Sequence, residues 1–170
     1  MSEHDGWRFC ARCGSEVERE MGRVRCPACG FIHYANSEPT ACALCADERG
    51  RVLLARRANE PFKGYWDLPG GFLEEGEHPL DALRRELREE TGLEVEPLDF
   101  VGIWTDRYPY GTQVGSTLNL YWTARVVRGS AQAGDDVSEV AWFAPDELPG
   151  EEELAFHVAD VLRAWRDQDA

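Results

Sequence analysis

The composition of this chain limits the classes of partner it can have. The chain has 170 residues, of which 32 are acidic and 18 basic, so its net charge is −14. This charge repels nucleic acid and anionic membranes at long range, and we expect neither as a partner. No apolar stretch is long enough to span a bilayer, and no apolar N-terminal segment resembles a secretory signal, which predicts a cytoplasmic protein.

Two C-x2-C-G elements near the N-terminus predict a structural zinc site. Four thiolates suit tetrahedral Zn2+, and the glycine after each pair eases the turn that brings both sulfurs to one ion. Two disulfide bonds are the alternative, which a reducing compartment disfavours. Four thiolate ligands leave no position for a substrate, so the metal is expected to be structural. The expected ligands are Cys10, Cys13, Cys26 and Cys29.

The sequence divides into a small module and a larger domain. A module of this size has too little core to fold without a metal. Its end is expected in the polar segment HYANSEPT at 33–40, which contains a proline. We predict a zinc ribbon at residues 1–36 and a second domain at residues 37–170.

The segment TACALCA at 40–46 carries two further cysteines. In an extended strand, residues i and i+3 lie on opposite faces, so Cys42 and Cys45 cannot easily share one metal. We predict that both are small core thiols. A redox pair or an auxiliary metal ligand is the alternative.

The pattern of apolar residues predicts alternating strands and helices. Residues 38–56 read as a β-hairpin with its turn at Asp47–Gly50. Further strands are expected at 98–104, 117–127 and 140–143. A closing helix is expected at 151–165, with inward side chains from Leu154, Val158, Val161, Leu162 and Trp165.

One helix is predicted more sharply than the others, at residues 79–90. Leu80, Leu83 and Leu87 recur at i, i+3 and i+7, as the buried stripe of an amphipathic helix does. Pro79 suits the first turn because its missing N–H costs nothing there. Gly92 stands where a left-handed C-terminal cap is usually glycine.

The opposite face of this helix carries three carboxylates. Glu86, Glu89 and Glu90 stand at i, i+3 and i+4 and are therefore neighbours on the helix surface. Like charges at this spacing destabilise a helix by about 0.2–0.5 kcal/mol per pair, and a divalent cation reverses that sign. The segment LPGGF at 68–72 supplies glycines that let a carbonyl approach a ligand closely. Together these features predict an oxygen-rich site for Mg2+ and phosphate, although acidic residues on an ordinary solvent-facing helix are the alternative.

The spacing within residues 71–93 resembles the Nudix signature. Every defining position of that signature is filled, by Gly71, Glu77, Arg85, Glu86, Leu87, Glu89, Glu90, Gly92 and Leu93. The resemblance implies an α/β fold of the α/β/α sandwich type with a mixed sheet. It also implies Mg2+-dependent or Mn2+-dependent hydrolysis of a pyrophosphate bond, in a nucleoside diphosphate linked to a further group X, by metal-activated water.

The resemblance also implies roles for the signature residues. Glu86, Glu89, Glu90 and the carbonyl of Gly71 are expected to hold the catalytic metal. Glu77 and Arg85 are expected to brace the preceding loop onto the helix.

The general base is assigned first to Glu86. The resemblance leaves a base on a later loop as the alternative, and a polar loop before a strand is found here, although a solvated acidic loop without a catalytic role explains its residues equally well. The candidates there are Asp135, Asp136 and Glu139.

Four residues outside the signature are candidates for substrate binding. Arg56 and Arg57, with Lys63 nearby, precede the signature and could meet phosphate oxygens, with surface solubility as the alternative. Tyr108 and Tyr110 could stack on a base, as could Trp104, although aromatic residues in strands more often serve packing.

The class of substrate is predicted only broadly. A zinc ribbon ahead of a Nudix domain resembles the NADH pyrophosphatases, but the SQPWPFPxS-type motif of that group is absent. Pro109 and Tyr110 resemble markers of two different groups, for ADP-ribose and for dinucleoside polyphosphates. We expect a dinucleotide-like substrate of the ADP-ribose, FAD or NADH class. The alternative is a nucleotide-sensing module, and exposed aromatic residues of the ribbon, such as Phe9 and Tyr34, suggest a homodimer.

Overall fold

A computed structural model describes residues 3–110 and 113–168 and divides the chain into two compact units. Unit 1 comprises Met1–Glu38 and Arg107–Thr117, and unit 2 comprises Pro39–Asp106 and Leu118–Ala170. The domain boundary at residues 36 and 37 stays a prediction. Neither α-helix within the described stretches has the length and apolar character needed to cross a bilayer.

Unit 1 contains a short 3-10 helix, Glu3–Gly6, and a three-stranded antiparallel sheet. The strands are β1 (Glu18–Glu20), β2 (Arg23–Arg25) and β3 (Ile32–Tyr34), in the order β1-β2-β3. The central residue Val24 lies opposite Arg19 and His33 and is fully buried. A sheet this small buries very little apolar surface, in agreement with a module that needs additional cross-linking.

Unit 2 is built on one sheet, to which β8 and β9 contribute residues 94–106 and 118–128. The strand order is β10-β5-β4-β9-β8, with β6 pairing with β5 and β7 pairing with β4. The helices are α1 (Pro79–Thr91) and α2 (Val158–Gln168), and a 3-10 helix spans Glu151–Glu153. The strands are β4 (Glu38–Ala46), β5 (Val52–Arg57), β6 (Trp66–Asp67), β7 (Gly70–Phe72), β8 (Glu94–Tyr110), β9 (Gln113–Arg128) and β10 (Val137–Phe143).

Each face of this sheet carries its own apolar core. On one face, Val158, Val161 and Leu162 of α2 pack on the sheet. On the other face, Leu83 and Leu87 of α1 do the same. The arrangement is a sheet between two helices, as the sequence predicted, because successive strand residues alternate between faces and both faces are apolar.

The central strand β4 shows this alternation in its two cysteines. Cys42 belongs to the core under α2 and Cys45 to the core under α1. Both are free thiols, and burial raises the pKa of Cys45 to about 12. The prediction of two small core thiols on opposite faces is confirmed, and the same geometry separates them too far for a redox pair.

Helix α1 begins and ends where its sequence signals predicted, with one residue more at the C-terminus. The His78 side chain caps the start by accepting a hydrogen bond from the Leu80 N–H at 3.2 Å. Gly92 ends the helix with φ of 69°, and its N–H donates to the carbonyl of Arg88. Leu83 and Leu87 are fully buried and Leu80 is half-buried.

The bounds of the last three strands and of the closing helix differ from the prediction, and β10 begins at Val137 and not at Val140. Strands β8 and β9 are longer than expected, since β8 continues through the DRYPY segment that followed the predicted strand. The closing helix begins at Val158 and not at Glu151. Leu154 instead forms a parallel bridge with Trp66, and the Ala155 N–H donates to the Trp66 carbonyl at 2.9 Å. The predicted inward residues Val158, Val161 and Leu162 are nevertheless buried, as is Leu154, and Trp165 is half-buried.

We expect Leu83→Ala to lower the free energy of unfolding by about 2–5 kcal/mol, because it removes a fully buried side chain and leaves a cavity beneath α1. The matched control is Leu98→Ala in β8, where the side chain is 51% exposed. The control should cost no more than about 0.5–1 kcal/mol. Urea unfolding followed by circular dichroism gives both values, and equal losses would contradict the assignment of the core.

Candidate functional site

The acidic face of α1 packs against the glycine strand β7. The Gly70 N–H donates to Glu90 Oε2 at 2.9 Å. Gly71 lies so close to Glu86 that a Cβ added there would be 2.5 Å from its carboxylate carbon. A larger residue at Gly71 would displace the Glu86 carboxylate, and at Gly70 a Cβ would lie 2.4 Å from the backbone carbonyl oxygen of Ala41. Gly71 pairs with Ala41 of β4, which fixes the position of β7 in the sheet. The sheet therefore positions the glycine strand that touches the carboxylates.

Burial and mutual repulsion disfavour the charged forms of these carboxylates. Burial raises the pKa of Glu90 well above its usual value, and the charges of Asp136 and Glu86 raise it further against the Gly70 hydrogen bond. Burial also raises the pKa of Glu86, opposed by Arg85. Such a group of buried oxygen donors with excess negative charge suits a hard divalent cation. Glu89 lies at the edge of the group, with its side chain 45% exposed.

Arg85 braces the loop before α1 against the helix. Its guanidinium donates to both oxygens of Glu77, at 2.9 and 2.8 Å, and to the Phe72 carbonyl at 3.1 Å. It also donates to Glu86 Oε1 at 2.7 Å. The hydrogen bonds from Arg85 to Glu77 lower the pKa of Glu77 to about 2, and the hydrogen bond from the Glu74 N–H lowers it further. The predicted bracing pair is therefore a bidentate pair that also orients Glu86.

Two aspartates approach Glu90 from other parts of the chain. Asp67, at the end of β6, and Asp136, just before β10, line a cavity of about 20 Å³ together with Glu90 and Arg57. The Gly134 N–H donates to the Glu90 carbonyl at 2.9 Å, which holds the loop carrying Asp136 against the end of α1. The cavity is large enough for a single water or ion.

The structure separates the three candidates for a base on the later loop. Asp136 lines the cavity, whereas Asp135 is exposed and does not. Glu139 lies within β10 and not on the loop, and its exposed carboxylate pairs with Arg56 at 3.2 Å. The expectation that all three share the loop is therefore wrong for Glu139, because β10 begins at Val137.

The two candidate arginines also separate. Arg57 lines the cavity and pairs with Asp67 at 3.0 Å, and its Nε donates to the Pro61 carbonyl at 2.7 Å. Arg56 instead lies over the ring of Trp66. The sequence singled out neither Asp67 nor its pairing. Burial raises the pKa of Asp67 and the Arg57 charge opposes this shift.

Of the aromatic candidates on β8, Trp104 belongs to unit 2, where it packs within an apolar core. Trp104 stacks on His157 with its ring centroid 5.9 Å away and meets Tyr121 edge-on at 5.5 Å, which is packing within the core under α2. Tyr108 belongs to unit 1 and is half-buried. The side chain of Tyr110 lies outside the described residues.

The four cysteines of unit 1 converge as the zinc prediction requires. Their sulfurs all lie within 4.8 Å of one another. Cys10 and Cys29 are 3.7 Å apart at their sulfurs, and Cys13 and Cys26 are 3.6 Å apart. A tetrahedron with Zn–S bonds of about 2.3 Å has edges of about 3.8 Å, so the cluster matches a zinc site. These distances are too long for the alternative of disulfide bonds.

We expect Arg85→Ala to lower the midpoint of thermal unfolding by several degrees, because it leaves Glu77 and Glu86 without their shared donor. Arg84→Ala is the matched control, since Arg84 is the next residue and makes an exposed pair with Asp81. Differential scanning calorimetry of both variants gives the comparison. Equal midpoints would show that the brace contributes nothing to stability.

Comparison with known proteins is consistent with this geometry. Residues 36–165 match the NUDIX domain family. The crystal structure of a NUDIX hydrolase from Nitrosomonas europaea superposes with a TM-score of 0.78 at 28% identity, covering 95% of this chain and 91% of that one. The predicted fold, a mixed sheet between helices, is confirmed by this match.

Two curated relatives are similar in sequence. The NAD-capped RNA hydrolase NudC of Pseudomonas aeruginosa is 30% identical over 165 residues, which are 94% of this chain and 56% of its own length. The ADP-ribose pyrophosphatase of Methanocaldococcus jannaschii is 35% identical over 121 residues, which are 70% of this chain and 68% of its own. The chain therefore spans about half the length of NudC. With the family match over most of its length and the signature in place on α1, the chain belongs to the NUDIX family.

Proposed function

We propose that this protein hydrolyses the pyrophosphate bond of a nucleoside diphosphate linked to a further group, with Mg2+ or Mn2+ as cofactor. The observation that carries the proposal is the packing of Glu86 and Glu90 against the glycines of β7, where their negative charge is only partly compensated. Buried carboxylates of this kind stay charged at neutral pH when a cation is bound between them.

The residues that would hold the cation are those of the signature. Glu86, Glu89 and Glu90, with the carbonyl of Gly71, offer the oxygen donors that Mg2+ prefers. When bound, the cation supplies positive charge to the phosphoryl oxygens and makes a water more acidic.

The side chains around these donors orient the reaction. Arg85 holds Glu86 in place, and the Gly70 N–H does the same for Glu90. Glu86 remains the first choice for the general base, with Asp136 as the alternative on the later loop. Arg57, at the cavity, is suited to meet a phosphate oxygen of the substrate. Arg56, held on Trp66 and Glu139, is less suited to that role.

The substrate class proposed is dinucleotide-like, as in ADP-ribose, FAD or NADH. One relative is named for ADP-ribose and the other for NAD-capped RNA. Both of these compounds contain a pyrophosphate joined to adenosine. The net charge of −14 favours the small-molecule member of this set, because a strongly acidic protein repels a polynucleotide. Homodimer formation stays a prediction.

The test is turnover of a substrate panel, resolved by chromatography, with Mg2+ and with Mn2+. The panel contains ADP-ribose, NADH, FAD, diadenosine polyphosphates and nucleoside triphosphates. We expect one class to be hydrolysed and Glu90→Gln to reduce that turnover by about 10³-fold without a change in folding. Arg85→Ala should instead reduce turnover and stability together.

The matched control for this test is Glu94→Gln, which removes an exposed carboxylate paired with Arg128 in unit 2. Its turnover should equal that of the wild type. Normal turnover by Glu90→Gln would refute the assignment of the site. No turnover of any substrate, with a nucleotide still bound, would instead support the nucleotide-sensing module.

We also propose that the cysteine cluster of unit 1 binds one structural Zn2+. The purified protein should contain one zinc per chain by elemental analysis, and Cys26→Ser should lose it. Cys45→Ser is the matched control, since Cys45 is an equally buried thiol in the core under α1. Loss of zinc from the Cys45 variant, or its retention by the Cys26 variant, would contradict the ligand set.

A further inference from the structure

Three aromatic side chains form a cluster beside the proposed phosphate-binding arginine. The ring of Phe62 lies 4.7 Å from that of Phe156 and 5.5 Å from that of Tyr65, in both cases edge to face. Phe62 is 39% exposed and Tyr65 is 38% exposed. We call Phe62, Tyr65 and Phe156 the aromatic cluster. Because its rings meet edge to face, the exposed members keep aromatic surface available to a further ring.

The backbone of this cluster is strained at two of its three residues. Phe62 has φ of 62° and Phe156 has φ of 47°. A bulky residue in this region is a genuine outlier and costs free energy. Local hydrogen bonds maintain the conformation, since the Tyr65 N–H donates to the Phe62 carbonyl at 3.0 Å. Apolar packing alone does not require this strain, because aliphatic side chains in ordinary conformations also fill a surface gap.

Arg57 connects the aromatic cluster to the carboxylates. Its guanidinium carbon lies 5.1 Å from the centre of the Phe156 ring. The same side chain lines the cavity that contains Glu90 and Asp136. Through Arg57, the aromatic cluster is therefore a neighbour of the cavity at which a phosphate oxygen of the substrate is proposed to bind.

We propose that the aromatic cluster, with Phe62 as its central member, binds a planar ring of the substrate by stacking. This inference rests on the proposed function, which supplies the diphosphate. The ring is either the nucleobase or a second heteroaromatic ring of the attached group, and both offer the same π face. Phe62 is then a specificity-determining residue, because it distinguishes substrates with a ring from substrates without one.

The test is equilibrium binding, by calorimetry in Mg2+, of three ligands that contain no pyrophosphate bond. AMP and ribose 5-phosphate differ only in the adenine ring, and nicotinamide mononucleotide carries the other kind of ring. None of them can be hydrolysed by a pyrophosphatase, so binding is measured independently of turnover. The variants are Phe62→Ala and Phe62→Leu, and the second keeps apolar bulk without a π face.

The matched control is Phe100→Leu. Phe100 is also an exposed phenylalanine, 48% exposed, with an edge-to-face partner in Trp122 at 5.2 Å, but it lies on β8 and belongs to a different aromatic pair. Thermal unfolding of each variant verifies that the fold is intact.

We expect the wild type to bind AMP or nicotinamide mononucleotide about tenfold more tightly than ribose 5-phosphate, as stacking of one ring provides. Phe62→Leu and Phe62→Ala should remove this advantage and leave ribose 5-phosphate binding unchanged. The mononucleotide that binds more weakly to the Phe62 variants shows whether adenine or nicotinamide stacks on the aromatic cluster.

Two results would overturn the inference. One is an equal affinity of the wild type for all three ligands, or no measurable binding of either mononucleotide. The other is a ring advantage that survives both Phe62 variants or that is lost equally in Phe100→Leu. Neither result bears on the substrate panel, so a wrong assignment of the ring site can be distinguished from a wrong assignment of the pyrophosphatase activity.

Discussion

The contact between one helix and one glycine strand governs the rest of the site. Glu86 and Glu90 are held where water is largely absent, and burial of a carboxylate is costly unless donors or a cation surround it. The Gly70 N–H and Arg85 supply part of the compensation. The remainder of the negative charge would give the proposed cation site its affinity, so the folding cost and the proposed function would have one origin.

This contact is possible because the two faces of α1 have different tasks. Leu83 and Leu87 anchor the helix to the sheet, which fixes the height and rotation of its acidic face. A loop then closes on the end of the helix, where a Cβ at Gly134 would lie 2.4 Å from the Glu89 carbonyl. That close approach brings Asp136 to the cavity. Gly134 therefore lets the loop backbone approach the backbone of α1, and Gly71 lets the backbone of β7 approach the Glu86 carboxylate.

The two units of the chain differ in the interactions on which they depend. In unit 2, two arginines lie beside the carboxylates of the site. Arg57 pairs with Asp67 and Arg85 pairs with Glu77, so acidic partners hold both in place. Under the proposed function, an anionic diphosphate would need further positive charge at this point, which the proposed cation would provide. In unit 1 the proposed zinc ion on the cysteine cluster would replace the core that so short a segment cannot build.

The sequence by itself determined the features that local patterns encode. These were the helix from Pro79 with its glycine cap, the hairpin turn at Asp47–Gly50, the two cysteine pairs and the family. Tertiary structure alone decided that Asp67 lines the cavity, that Asp136 does so among the three acidic candidates named from the sequence, that Phe156 lies against Arg57, and where α2 begins. Their positions depend on strand pairing and on close backbone approach between segments far apart in the chain. Periodicity within a segment carries no information on its neighbours in space, so the grouping of these residues could be seen only once the sheet was assembled.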